Sequence, residues 1–143
     1  MMSVSTATIG QASIRQQNTI EIRVRYTECD PMGVAHHAAY PVWFEMGRTE
    51  LYRASGMSYR ELEAQGLSLA VIALNVSYKA PARYDDLLVL ETTVARCTRV
   101  KLQHTYRLLR DGLLLAAGST TLACLDAHHK PRPLPESITA AQC

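Results

Sequence analysis

The chain predicts an α+β domain: one antiparallel sheet with a single long helix laid against one face. Three observations predict it. A two-residue alternation opens the patterned part of the chain, one stretch then repeats at threes and fours, and everything after Gly66 reads as strands. With 143 residues, 48% apolar and 20% charged, the chain can bury a real core as one domain without metals or disulfides.

Residues 1–18 are rich in Ser, Thr, Ala and Gln and are expected as a flexible N-terminal tail. The domain proper is expected over 19–127, with a proline-rich C-terminal tail, 128–143, leaving the sheet. The stretch "TIEIRVRYT" places Ile22, Val24 and Tyr26 on one face and Glu21, Arg23 and Arg25 on the other, the pattern of a half-buried strand. Pro31 and Gly33 in "ECDPMG" end it in a turn. From Ala38 to Ala54 the residues Trp43, Met46, Gly47, Leu51 and Ala54 form a helical stripe widened by Val42 and Phe44, with Arg48 among its polar interruptions. Pro41 suits the first turn, where N–H groups have no intrahelical acceptor. "SGMS" breaks the helix and "YRELEAQG" starts a shorter one.

Four strands follow, in "LSLAVIALNVSYKAPARY", "DLLVLETTVARCTRV", "KLQHTYRLLR" and "LLLAAGSTTLACLDA". Pro81, near the end of the first, suits an edge, a bulge or a strand exit, and Arg110-Asp111-Gly112 reads as a tight hairpin turn. His104 shares the apolar face with Leu102, Tyr106 and Leu108 and is expected as a satisfied core or interface histidine.

Fifteen basic against thirteen acidic residues leave a net charge of +2, which gives no general reason to expect nucleic acid. No window approaches the roughly 20 apolar residues that cross a bilayer. Cys29, Cys97, Cys124 and Cys143 show no CxxC spacing, so free thiols and a cytoplasmic protein are expected.

The informative stretch is "ECDPMGVAHHAAYPVWFEMGRTE". A helix starting near His37 or Ala38 leaves backbone donors of residues 37–40 at the positive end of its dipole, where a developing oxyanion is stabilised. Asp30 lies seven residues before His37 on a loop able to fold back. It suits a carboxylate that attacks a carbonyl or activates water, and equally a cap for backbone donors. His36 and His37 are adjacent, a spacing unlike a metal pair, so no metal is expected. Glu45 suits either an inward position beneath the site or a surface ion pair.

"RVRYTECDPMGVAHHAAYPVWFEMGRTE" resembles the signature of the 4-hydroxybenzoyl-CoA thioesterase family of hotdog-fold proteins, near its Tol-Pal-cluster acyl-CoA thioesterase branch. The later "VSYKAPARYDDLLVLET" resembles a second segment of that family, and the likeness spans about residues 20–127. It implies a long central helix wrapped by a five-stranded antiparallel sheet, paired into a homodimer at least, with tetramers among its members. It implies hydrolysis of acyl-CoA thioesters, with coenzyme A as part of the substrate and no separate cofactor. Asp30 then matches the catalytic carboxylate and His37 the position whose backbone N–H polarises the carbonyl. Gly33, Val34, His36, Tyr40 and Glu45 fall at the substrate. Two departures, Ala39 and His36, leave the acid intact and loosen the inference on acyl preference. A hotdog hydratase or dehydratase, or a non-catalytic thioester-binding protein, are the alternatives. Coenzyme A carries phosphates, so basic residues near the mouth are expected among Lys79, Arg83, Arg96, Arg99, Lys101 and Arg107.

Overall fold

The computed structural model describes residues 16–143; the tail expected over 1–18 lies outside the described residues except at its end, where Gln17 and Asn18 already belong to the first strand. The first strand, β1 (Gln17–Arg23), ends sooner than its alternation suggests. Ile22 and Val24 are buried as expected, but the chain then turns through a 3-10 segment, Tyr26–Glu28, and Tyr26 is exposed. Its Cβ phase was that of a strand the backbone had already left. The long helix α1 (Ala39–Ala54) and the short α2 (Tyr59–Ala64) follow. Then come β2 (Ser68–Tyr78), β3 (Leu87–Cys97), β4 (Lys101–Arg110) and β5 (Leu113–Leu125).

All pairings are antiparallel and the strand order is β1-β3-β4-β5-β2. The β4–β5 hairpin turns on Asp111 and Gly112, both at positive φ, as a two-residue turn between right-twisted strands requires. β2 ends at Tyr78, sooner than its apolar run suggests, and Pro81 lies beyond it, outside the ladder where its missing N–H would be felt.

One face of this sheet wraps α1. Trp43, Phe44, Leu51 and Tyr52 are buried, and Trp43 and Phe44 share one core cluster with Leu88, Leu90, Tyr106, Leu108 and Leu115. Each large apolar side chain fully buried in this way contributes about 1.5–3 kcal/mol. Phe44 stacks on Tyr106 with ring centroids 4.1 Å apart. Gly47 allows the close approach: a Cβ there would collide with Thr92 and Leu90 of β3.

The segment expected as a C-terminal tail belongs to the fold. A two-residue strand, β6 (Pro131–Arg132), pairs with β5, and a helix, α3 (Glu136–Gln142), follows. Leu134 and Ile138 close a second core cluster with Tyr52, Met57, Leu62, Leu69, Leu102 and Leu122. The prolines place this segment against the sheet and do not carry it away. The free-thiol expectation also changes. Cys97 and Cys143 are joined as a disulfide, 46 residues apart in sequence with Cα atoms 5.5 Å apart, while Cys29 and Cys124 are free. Spacing along the chain hid a pairing that the return of α3 creates. His104 is fully buried as expected, but neither ring nitrogen has a hydrogen-bond partner, so it is not the satisfied histidine its position suggests.

Candidate active site

The loop between the 3-10 turn and α1 is a small hairpin. Cys29 pairs with Ala35, and the Asp30 N–H donates to the Val34 carbonyl at 2.9 Å. The Gly33 N–H returns to the Asp30 carbonyl at 2.9 Å, with Gly33 at φ +82°, a left-handed conformation that costs glycine little. The loop is anchored on both sides. The His36 N–H donates to the Glu28 carbonyl at 2.7 Å, and the Ala35 N–H donates to the Ala82 carbonyl at 2.7 Å. Folding Asp30 back onto Val34 leaves just Ala35 and His36 between that pairing and His37.

Asp30 is half-buried. Its Oδ1 accepts the Met32 N–H at 2.9 Å, and Oδ2 makes no hydrogen bond to any described residue. Both sequence readings of this carboxylate are therefore visible at once: one oxygen fixes the turn and the other is free.

At the helix start the donors are divided. The Ala38 N–H donates to His36 Nδ1 at 3.1 Å and the Ala39 N–H to the His36 carbonyl at 2.9 Å, so His36 holds the turn that leads into the helix. An accepting Nδ1 requires the ring proton to sit on Nε2. The His37 N–H donates to no described group. The His37 carbonyl accepts the Tyr78 hydroxyl at 2.9 Å, which ties the helix start to the end of β2. The His36 and His37 rings lie with centroids 4.1 Å apart, and the His37 side chain is exposed.

Of the other residues expected at the substrate, Gly33 shapes the turn and Val34 pairs with Arg83. Tyr40 is buried beneath the site, packed on Trp43 and edge-on to Tyr78. Glu45 is exposed, on the rim of a separate cavity farther along α1. Arg83 stands beside the loop through its bridge to Val34, and Arg107 is engaged with Glu91 at 2.9 Å.

Two positioning residues escape a reading by periodicity. Glu28 accepts the Arg25 N–H at 2.7 Å and the Trp43 indole N–H at 2.8 Å, so one carboxylate holds the loop to the helix. Burial disfavours its charge, but the hydrogen bonds from Arg25 and Trp43 and the Arg25 guanidinium prevail and hold it below the usual carboxylate range. The signal was its spacing three residues after Arg25. Tyr78 gave no local signal, since its partner lies forty-one residues earlier. Among the described residues no cluster of three or more His, Cys, Asp and Glu gathers as for a metal. No described helix is long and apolar enough to cross a membrane.

A sheet of this order wrapped around one central helix, with an acidic loop folded against that helix's start, defines a hotdog-fold domain. The family described as "Thioesterase-like superfamily" matches residues 24–142. The acyl-CoA thioester hydrolase YbgC of Escherichia coli O6:H1 is 36% identical over 121 residues, covering 83% of this chain and 90% of that protein. The putative acyl-CoA thioesterase YneP of Bacillus subtilis is 36% identical over 107 residues, covering 74% and 78%. The solved structure of a DHNA-CoA thioesterase from Staphylococcus aureus superimposes with a TM-score of 0.81 at 35% identity, covering 82% of this chain and 80% of that one. The chain belongs to the thioesterase-like superfamily, and it is an enzyme of the thioesterase kind.

Proposed function

We propose that the protein hydrolyses acyl-CoA thioesters to the free acid and coenzyme A, with Asp30 and the His37 backbone N–H as the working groups. The observation that carries this is a pairing of loose ends: a carboxylate oxygen without a partner and a helix-start N–H without an acceptor, on one anchored loop. The activities in the names of YbgC and YneP support the reaction class.

The thioester carbonyl oxygen accepts the His37 N–H, and charge gathering on that oxygen is stabilised by the donor and the helix dipole, worth about 3 kcal/mol for one such donor. Asp30 Oδ2 then adds to the carbonyl carbon and the coenzyme A thiolate leaves. Water opens the resulting mixed anhydride and restores the carboxylate. In the other form of the mechanism Asp30 takes a proton from water, which attacks directly. An acyl group found on Asp30 by rapid-quench mass spectrometry during a single turnover identifies the first form. Lys79 and Arg83, exposed and flanking the Ala82 anchor, are placed to meet coenzyme A phosphates.

The working unit in this reading is a homodimer. β2 is a sheet edge, paired to β5 alone, and Val71, Ile72 and Leu74 on it are 48%, 52% and 47% exposed. An edge of that kind invites a second copy.

The test is release of free thiol from a panel of short-chain, long-chain and aromatic acyl-CoAs, with Asp30→Asn beside the parent. Turnover by the parent alone supports the reading. Equal turnover by both, or enoyl product without thiol, sinks it.

A further inference from the structure

Arg48 lies on the buried side of α1 and is 7% exposed. A guanidinium keeps its charge at any ordinary pH and carries several N–H donors. Nη1 donates to the Tyr106 hydroxyl at 3.1 Å, which shares a 2.6 Å hydrogen bond with Thr120, and the Tyr52 phenol lies beside the same guanidinium. Among the described residues no carboxylate oxygen lies within 4.0 Å of it. Its other buried neighbours supply no negative charge. Burial, with Arg48 adding to it, lowers His104 to about 3, so that ring is neutral. Burial pushes the Tyr52 phenol up, against the pull of Arg48, so that group stays protonated. The Tyr52 hydroxyl also lacks a hydrogen-bond partner.

This cation borders a cavity of about 270 Å³ between α1 (Arg48, Thr49, Tyr52) and β2 (Leu69, Val71), with Glu45 on the exposed rim. Toward the helix start this side of α1 continues through Glu45 to Pro41, one turn earlier. Arg48 is nearly three turns from that start, roughly 15 Å along the axis. Its side chain leans back toward it, as helical side chains do. An acyl group whose thioester sits at His37 and whose chain runs along Pro41 and the stem of Glu45 ends at this cavity.

We propose that the cavity seats a carboxylate at the far end of the acyl group, so that the preferred substrates are CoA thioesters of dicarboxylic acids. The inference rests on the acyl-CoA reading above for the direction of the chain. A methyl end pushed into the cavity strips water from a fixed charge and returns no acceptor. A carboxylate returns two oxygens to donors arranged as a planar fork, and the Tyr52 hydroxyl can add a third bond. Sites built around such buried donors reject analogues that lack the acceptor. Glu45 does not do this work from the rim. It stands in water, where its field is screened, while Arg48 acts at contact in low-dielectric surroundings.

The experiment is calorimetric titration of the non-hydrolysing Asp30→Asn protein with suberoyl-CoA and with octanoyl-CoA, a pair of equal length differing at the far end. Suberoyl-CoA is expected to bind about tenfold tighter or better. Adding Arg48→Met should abolish the preference while octanoyl-CoA binding holds or improves, and Tyr52→Phe, which keeps the ring, should narrow it. Equal or tighter binding of octanoyl-CoA by the Asp30→Asn protein overturns the proposal whatever the variants do, as does a preference that survives Arg48→Met in a folded protein. Failure to bind either thioester overturns it too. Thiol release by the parent enzyme from octanoyl-CoA and suberoyl-CoA is followed in parallel. If neither is cleaved, the hydrolytic reading fails on its own, and the binding preference still decides the role of the cavity.

Discussion

The start of α1 and its middle treat polar groups in opposite ways. At the start, Glu28 is bonded to Trp43 and Arg25, Tyr78 to the His37 carbonyl, and the His36 ring to the Ala38 N–H. In the middle, Tyr52, Thr92 and His104 present buried polar atoms with no partner, around an arginine with one hydrogen bond. An unsatisfied buried group of this sort costs about 1–3 kcal/mol. The first region uses its polar side chains to fix a backbone in place and leaves two groups open, Asp30 Oδ2 and the His37 N–H, the pair proposed above to do the chemistry. The second region keeps its polar groups open in the interior, at the expense of stability.

The largest break in that contrast comes at the open groups of the first region. Asp30→Asn is expected to lower kcat/KM about 1,000-fold, some 4 kcal/mol of transition-state stabilisation, with the melting temperature nearly unchanged. Retention of more than about a tenth of the activity means the carboxylate only holds its turn. His37→Pro should come next, with a loss of about 100-fold in kcat as the donor disappears from a position where helices accept proline. His37→Ala keeps the N–H and should lose about tenfold. Steady-state kinetics on the two, with circular dichroism on each, separate backbone from imidazole, and equal near-total losses assign the work to the ring.

In the second region the informative change is His104→Leu. With its pKa lowered from 6.5 to about 3 in the fold, His104 stays neutral where the unfolded chain takes up a proton. The parent therefore loses stability as pH falls through that window, by about 2–3 kcal/mol between pH 7 and pH 4.5 from this group alone. The leucine variant lacks that component. Urea midpoints at both pH values should show a shallower acid decline for it, and parallel declines count against the buried neutral ring. The smallest effect belongs to Tyr78→Phe, which removes one hydrogen bond to the His37 carbonyl. About 1 kcal/mol of stability and a modest fall in kcat are expected, read by urea unfolding and kinetics together.

The elements were legible because their periods differ. Ile20 and Ile22 alternate along β1, while Phe44, Arg48 and Tyr52 recur at fours on the buried face of α1. Read by phase alone, Arg48 already stood on the inward stripe, and its charge made it look like an interruption. The nearness of Asp30 to the start of α1 was legible because the loop that joins it to His37 is local. Tyr78 and the disulfide partners were not, since each depends on strand register that brings distant residues together. The C-terminal helix was hidden by its length and by the prolines ahead of it, neither of which reports where Ile138 is buried.

The pairing of β2 with β5 has a consequence during synthesis. The ribosome delivers β2 before β3 and β4, yet the neighbour that holds it, with Leu69 opposite Cys124 and Tyr78 opposite Ala116, emerges last of the long strands. Until then the nascent chain carries an eleven-residue strand with Val71, Ile72 and Leu74 and no ladder on either side. Translation at about 5–20 residues per second leaves that segment waiting for seconds, long compared with the microseconds in which strands find partners. The vulnerable moment of this molecule is therefore its birth, and slower elongation through β3 and β4 should send more of the product into inclusion bodies.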